Sequence, residues 1–226
     1  MTHCSTHVRA HHSLLARPEK RLLVWLAHRL PARMTSDHLT LLALVAMGVA
    51  GGAYATARWD PRALWVVIAA LAVNWFGDSL DGTLARVRRA ERPRYGFYVD
   101  HVLDIVGISL LLTGLACSGF MTPLVALALL VAYLLVAAEV FLATAANGTF
   151  RMSFLGFGPT ELRLLLAMGT FALAGDPHVD LGMFGRYQLF DVGGTVATMG
   201  LLVALMSAVV ANRRRLAKLE PCRRTA

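Results

Sequence analysis

Charge is scarce in this 226-residue chain: only 16% of residues are charged, against 57% hydrophobic. An ordinary soluble domain of this size is less apolar, and purely lipid-facing helices carry fewer charges. Cysteine is equally sparse. Cys4, Cys117 and Cys222 lie far apart, with no C-x-x-C or C-x-x-H spacing. That excludes a disulfide framework and a zinc site built on such motifs. Met1 to Arg17 lacks an apolar core followed by a small-residue cleavage site, so it does not read as a signal peptide. His3, His7, His11 and His12 with Cys4 offer metal-ligand chemistry, but a solvated tail is the expected reading. Acids are also outnumbered, 14 against 22 Lys and Arg, for a net charge of +8. In a soluble chain that balance would suggest nucleic acid. Here the basic residues flank apolar runs, as topology determinants do, and no nucleic-acid partner is expected.

What is abundant is long apolar sequence. Six segments are near the ~20 residues needed to cross a bilayer. They are Leu39–Thr56, Ala63–Leu84, Phe97–Cys117, Pro123–Ala145, Thr160–Ala174 and Phe190–Asn212, the fifth being the shortest. Ahead of them, Leu22, Leu23, Leu26 and Leu30 recur at helical spacing, with Lys20, Arg21 and Arg29 elsewhere. This predicts a short amphipathic helix on the membrane surface. The expected fold is therefore an all-α integral membrane protein with six transmembrane helices and a preceding interfacial helix. Its divisions are a disordered tail over 1–17, a juxtamembrane helix over 18–34, a membrane domain over 35–212 and a basic tail over 213–226. Nineteen of the 22 Lys and Arg fall on one side of these spans; Arg58, Arg62 and Arg186 fall on the other. That asymmetry places both termini in the cytoplasm.

Four acids interrupt the apolar pattern. Asp78 and Asp81 are three apart on the second span, and Asp100 and Asp104 are four apart on the third, so each pair shares a helix face. The connecting loop is short, so the helices are expected to be antiparallel neighbours and the four carboxylates to converge near the cytoplasmic surface. Convergence is unfavourable: a charge near the bilayer centre costs ~2.5–3.5 kcal/mol on the permissive insertion scale. Repulsion adds to that, and nothing basic lies on the same helix faces. Bound divalent cations resolve the conflict. Oxygen-only ligands point to Mg²⁺ or Mn²⁺, and two ions ~4 Å apart are a common device for phosphoryl transfer. Gly82 and Ala85 are small enough to let a ligand approach the backbone, Arg86 can fork onto a phosphate, and Gly96 loosens the start of the third span. Taken singly, Arg86 reads as a topology residue and Gly82 as a packing residue; together with the acids they read as a phosphate site.

The segment Asp78-x-x-Asp81-Gly82-x-x-Ala85-Arg86 … Gly96-x-x-x-Asp100-x-x-x-Asp104 resembles the signature of the CDP-alcohol phosphotransferase family, with all eight fixed positions present. One departure exists. Nine residues, Val87 to Tyr95, separate Arg86 from Gly96 where the family has eight. The extra residue falls in the basic loop and leaves both helical pairs in register. Pro93 stands where some relatives carry a hydroxyl residue. The resemblance implies that Asp78, Asp81 and Asp100 are metal ligands. Asp104 would complete the site and act as the base that deprotonates the acceptor alcohol; Asp100 and Asp104 are thus the catalytic candidates. Gly82 and Arg86 would contact the CDP moiety. The resemblance also implies a homodimer. Ser36-Asp37-His38-Leu39-Thr40 matches a family element at the first span, making Asp37 and Thr40 nucleotide-contact candidates; Asp37 reads equally well as a helix N-cap.

The acceptor is written less clearly. Arg151 and Arg163 are the basic residues between and within the fourth and fifth segments, and they are candidate substrate contacts. Gly158-Pro159-Thr160-Glu161 faintly resembles an element of enzymes that join CDP-choline or CDP-ethanolamine to diacylglycerol. It also reads as a helix start, with Pro in the first turn and an acid following. The favoured expectation is transfer from CDP-diacylglycerol to a small polar alcohol within the lipid membrane, with release of CMP. The opposite arrangement, a CDP-linked headgroup and a lipid alcohol, is the alternative. Two other classes use intramembrane acids. A prenyltransferase usually spaces its acidic motifs further apart. A divalent-cation transporter needs polar groups along a path, and apart from Glu139 the first, fourth and sixth spans offer few.

Overall fold

The computed structural model describes residues 16–147 and 159–220. The histidine-containing tail, Arg151 and Gly158 lie outside the described residues. The rest is helical apart from one small hairpin. In chain order the helices are α1 (Ala16–Arg29), α2 (Ser36–Ala57), α3 (Ala63–Val87), α4 (Pro93–Ser118), α5 (Pro123–Asn147), α6 (Pro159–Leu173) and α7 (Leu189–Leu219). Strands β1 (His178–Asp180) and β2 (Arg186–Gln188) pair antiparallel between α6 and α7.

Local chemistry sets the helix ends. Thr35 caps α2: its hydroxyl accepts from the His38 backbone N–H at 3.4 Å, and the His38 ring returns a bond to the Thr35 N–H at 3.2 Å. This reciprocal pair satisfies two donors that a helix start leaves open. Asp37 is therefore not the cap. It lies in the first turn and pairs with Arg92. Pro93 opens α4, where its missing N–H costs nothing and its fixed φ suits a helix. The helix thus begins four residues ahead of Phe97, and Gly96 sits inside its first turn. At the other end Gly119 takes φ 79°, the left-handed stop that glycine adopts without strain.

Among the described residues, five helices are long and apolar enough to cross a membrane: α2, α3, α4, α5 and α7. Helix α6 has 15 residues, which spans about 22 Å at 1.5 Å per residue, short of a ~30 Å hydrocarbon core. Helix α7, with 31 residues, is the opposite case. It reaches about 46 Å, so its last turns, with Arg213, Arg214, Arg215 and Lys218, extend past any apolar layer that holds its start.

Helix α2 is the centre of the packing, with α3 along one side and α4 along another; α5 runs beside α4 and α7, α6 beside α3, and α1 beside α3. The main core gathers Tyr54, Leu64, Val67, Leu71, Leu111 and Leu115 from α2, α3 and α4. A second cluster joins Leu23 and Ala27 of α1 to Leu39, Leu80 and Leu84. Helix α1 thus uses Leu23 and Ala27 to dock on α3, while Leu22 and Trp25 stay exposed. Many large apolar residues elsewhere face outward, including Val196, Met199, Val203 and Met206 along α7. Exposed apolar surface on this scale is what a helix bundle presents to lipid, and the chain is a multi-pass membrane protein.

Close helix crossings depend on missing side chains. A Cβ added to Gly114 would lie 2.0 Å from the Gly51 carbonyl oxygen, so α2 and α4 touch backbone to backbone there. Such crossings are the membrane helix-packing device of small residues. Gly52, one residue along, has nothing within 4 Å of an added Cβ. Gly114→Ala is expected to lower stability in detergent by about 1–3 kcal/mol or prevent folding. Gly52→Ala is expected to cause no loss. Thermal unfolding of the two purified variants checks this.

Candidate active site

Helix α3 runs towards the turn at Arg88 and α4 runs away from it, so the acidic pairs sit at the same end of the bundle. The first turns of α2 and α6 lie at that end too. Asp81 is buried, Asp78 and Asp100 are half-buried. Asp81 lies within electrostatic range of Asp78 and Asp100, and Asp104 within range of all three. Asp104 is exposed on α4, at the same end of the bundle. Tyr133 of α5 and Arg163 of α6 border the same group.

Each acid of the first pair has its own compensation. The Thr40 hydroxyl of α2 lies 2.8 Å from Asp81 Oδ2 and 3.0 Å from the Ser36 carbonyl, so its proton is shared between them. The Gly82 backbone N–H donates to Asp81 Oδ1. Thr40 therefore aims Asp81 from the neighbouring helix. Asp78 has a full counter-charge: Arg163 Nη2 donates to Asp78 Oδ2 at 2.5 Å. The two side chains are only 15% and 31% exposed, so this pair is shielded from solvent. Asn74 holds the guanidinium in place. Its Oδ1 accepts from Arg163 Nε at 2.6 Å while its Nδ2 donates to the Ala43 carbonyl at 2.9 Å. The third nitrogen, Arg163 Nη1, is buried without a hydrogen-bond partner. An unmet buried donor on a charged group is unfavourable, and a ligand oxygen would satisfy it.

Gly82 faces open space, with nothing within 4 Å of an added Cβ. The same is true of Gly96. Ala85 is half-buried beside Gly82 on α3, and Arg86 is exposed, donating to the Thr83 hydroxyl at 3.1 Å. The basic turn has more structure than a topology signal requires. Arg88 donates to the carbonyls of Leu30, Pro31, Ala32 and Met34, pinning the α1–α2 linker to the end of α3. Arg89 turns the chain with φ 53°, in the left-handed region. Arg92 pairs with Asp37 and stacks on Tyr95. The nine-residue spacing from Arg86 to Gly96 is accommodated in this turn, outside both acidic pairs.

Glu19 of α1 is the partner that sequence reasoning missed. Its Oε1 accepts from Trp75 Nε1 at 2.9 Å, Ser79 Oγ at 3.4 Å and Thr160 Oγ1 at 2.8 Å. One carboxylate thus ties α1, α3 and α6 together beside Asp78. An acid in the first turn of an amphipathic helix carries no sequence signal for that role. Asn74 was findable: it stands four residues before Asp78, on the same face.

The donor set suits a hard divalent cation, being carboxylate oxygens without sulfur. The open face at Gly82 leaves room beside it. Among the described residues, no three acid, His or Cys side chains stand close enough together to hold a metal ion; Arg163, not a third acid, is the group in contact with Asp78.

The fold and these residues define a helical membrane protein with a cluster of aspartates at one end of its bundle. The family model described as CDP-alcohol phosphatidyltransferase matches residues 33–212. The chain belongs to that family, whose members are transferases using CDP-alcohol donors and alcohol acceptors. Comparison with curated proteins gave no match.

Glu19→Ala leaves three donors without their acceptor and is expected to cost about 1–2 kcal/mol, reduced by partial exposure. Glu19→Gln, which keeps an acceptor oxygen, should recover part of it. Thermal midpoints of the two variants in one detergent give the comparison.

Proposed function

We propose that this protein transfers a phosphatidyl group from CDP-diacylglycerol to a small polar alcohol, releasing CMP, with Mg²⁺ or Mn²⁺ bound in the cleft. The observation that carries this reading is the family signature laid out on α3 and α4 with its acids at one end of the bundle. Arg163 supports it, because a buried guanidinium nitrogen with no acceptor suits a phosphate oxygen.

Asp78, Asp81 and Asp100 would hold the cations, two in number as in paired-metal phosphoryl-transfer sites, and Asp104 would complete the set.

 A bound pair of such ions would supply charge neutralisation at the pyrophosphate and at the departing CMP. Thr40 and the Gly82 N–H keep Asp81 turned into the cleft. Gly82 and Ala85 leave the α3 backbone open to the CDP moiety, and Arg86 stands at its edge. The acceptor oxygen forms a bond to the phosphatidyl phosphorus as the bridging P–O bond to CMP breaks. The acceptor's proton passes to Asp104, whose exposed carboxylate suits a general base.

The membrane arrangement belongs to the same reading. Counting α6 as a shortened sixth span puts both termini and the cleft on the side rich in Lys and Arg, the cytoplasmic side. Helix α1 would rest at that interface, docked through Leu23 and Ala27. A homodimer is the expected assembly.

The test is CMP release by the purified protein with CDP-diacylglycerol, Mg²⁺ and a panel of small alcohols. A parallel arm offers CDP-choline or CDP-ethanolamine with diacylglycerol. Acceptor-dependent CMP release in the first arm is expected; release only in the second would reverse donor and acceptor. No release in either arm would refute the enzyme reading. Asp104→Asn is expected to lower turnover by about 10²–10⁴-fold, the range of a lost general base, with nucleotide binding retained. Gly82→Ala is expected to weaken donor binding without lowering the thermal midpoint, since its added Cβ meets only open space.

A further inference from the structure

Arg163 is the one described guanidinium in contact with an acid of the cluster, and its three nitrogens are used unequally. Nε is anchored on Asn74, Nη2 is on Asp78, and buried Nη1 has no partner. A residue placed only to brace α6 against α3 would be expected to satisfy all its donors, because a buried unmet one is destabilising. The anchor and the ion pair are also separable. Asn74 is fixed independently through the Ala43 carbonyl, so it can keep Nε while the far end of the guanidinium moves. Asp104 lies in the field of the same cation.

We propose that Arg163 is the resident counter-cation of the carboxylate cluster, exchanged at Asp78 for the divalent ion. It rests on the divalent-metal reading of the cluster. In the metal-free protein Arg163 neutralises Asp78 inside the apolar bundle. When a divalent cation takes Asp78, Arg163 gives up that contact, pivots on Asn74, and presents both terminal nitrogens to a phosphate oxygen. Two consequences follow from the charges. Arg163 and the metal compete, so Arg163 weakens metal affinity. Phosphate contact by Arg163 comes after metal loading, so the cluster is never left without a cation.

The experiment is Mn²⁺ binding to purified protein without substrate, followed by electron paramagnetic resonance. Arg163→Gln keeps a hydrogen-bonding side chain for Asn74 but removes the charge. It is expected to bind Mn²⁺ about tenfold tighter than the wild type, as loss of one nearby positive charge in a partly shielded site predicts. Arg163→Lys keeps the charge and should stay near the wild-type affinity. Equal or weaker Mn²⁺ binding by Arg163→Gln would overturn the exchange while leaving the metal reading intact. No Mn²⁺ binding by any of the three proteins would overturn both. A measurement on the wild type guards against a variant that does not fold. Mn²⁺ should speed phenylglyoxal modification of Arg163, read by peptide mass; a rate unchanged by bound Mn²⁺ would contradict the exchange.

Discussion

Carboxylates set among apolar helices must be compensated, and the arrangement around them follows from that requirement. Asp81 takes a hydroxyl from α2 and a backbone N–H from its own helix. Asp78 takes a guanidinium from α6. Neither arrangement forms unless α2, α3 and α6 are held at fixed spacing. The backbone contact of Gly77 with Leu39, the Glu19 junction and the Arg88 clamp all serve that spacing. A cluster held this way is preorganised, so a ligand meets acids that are already aimed.

The division of small residues along α3 carries the same logic. Gly77 is closed against α2, where an added Cβ would lie 2.6 Å from the Leu39 carbonyl oxygen. Gly82, five positions on, opens into the cleft. One glycine lets the helices approach; the other leaves the α3 backbone uncovered. The acids at 78 and 81 lie between and beside them, so one stretch of α3 carries the helix packing, the open backbone and the first acidic pair.

Much of this was legible in the sequence because it is local. The pairs Asp78/Asp81 and Asp100/Asp104 advertise their faces by spacing, and a short loop makes their helices neighbours. The apolar runs located helices α2 to α7, with α6 already the shortest of these six. Contacts between distant segments were not legible. Arg163 and Asp78 are 85 positions apart, and no periodicity says which side of α3 receives α6. Glu19 reaches Thr160 across 141 positions. Thr40 stood out as a nucleotide-contact candidate, whereas its hydroxyl bonds Asp81. Asp37 stood between a nucleotide contact and a cap; Thr35 takes the cap because its side chain reaches the His38 N–H, and Asp37 turns to Arg92.

The central claim is that the four aspartates form a divalent-metal site for a CDP-linked donor. Calorimetric titration of CDP into the purified protein, with Mg²⁺ and then with excess chelator, tests it most directly. The account predicts CDP binding with Mg²⁺, its loss on chelation, and its absence in Asp81→Asn at either condition. CDP binding of equal strength in chelator, or undiminished in Asp81→Asn, would contradict it.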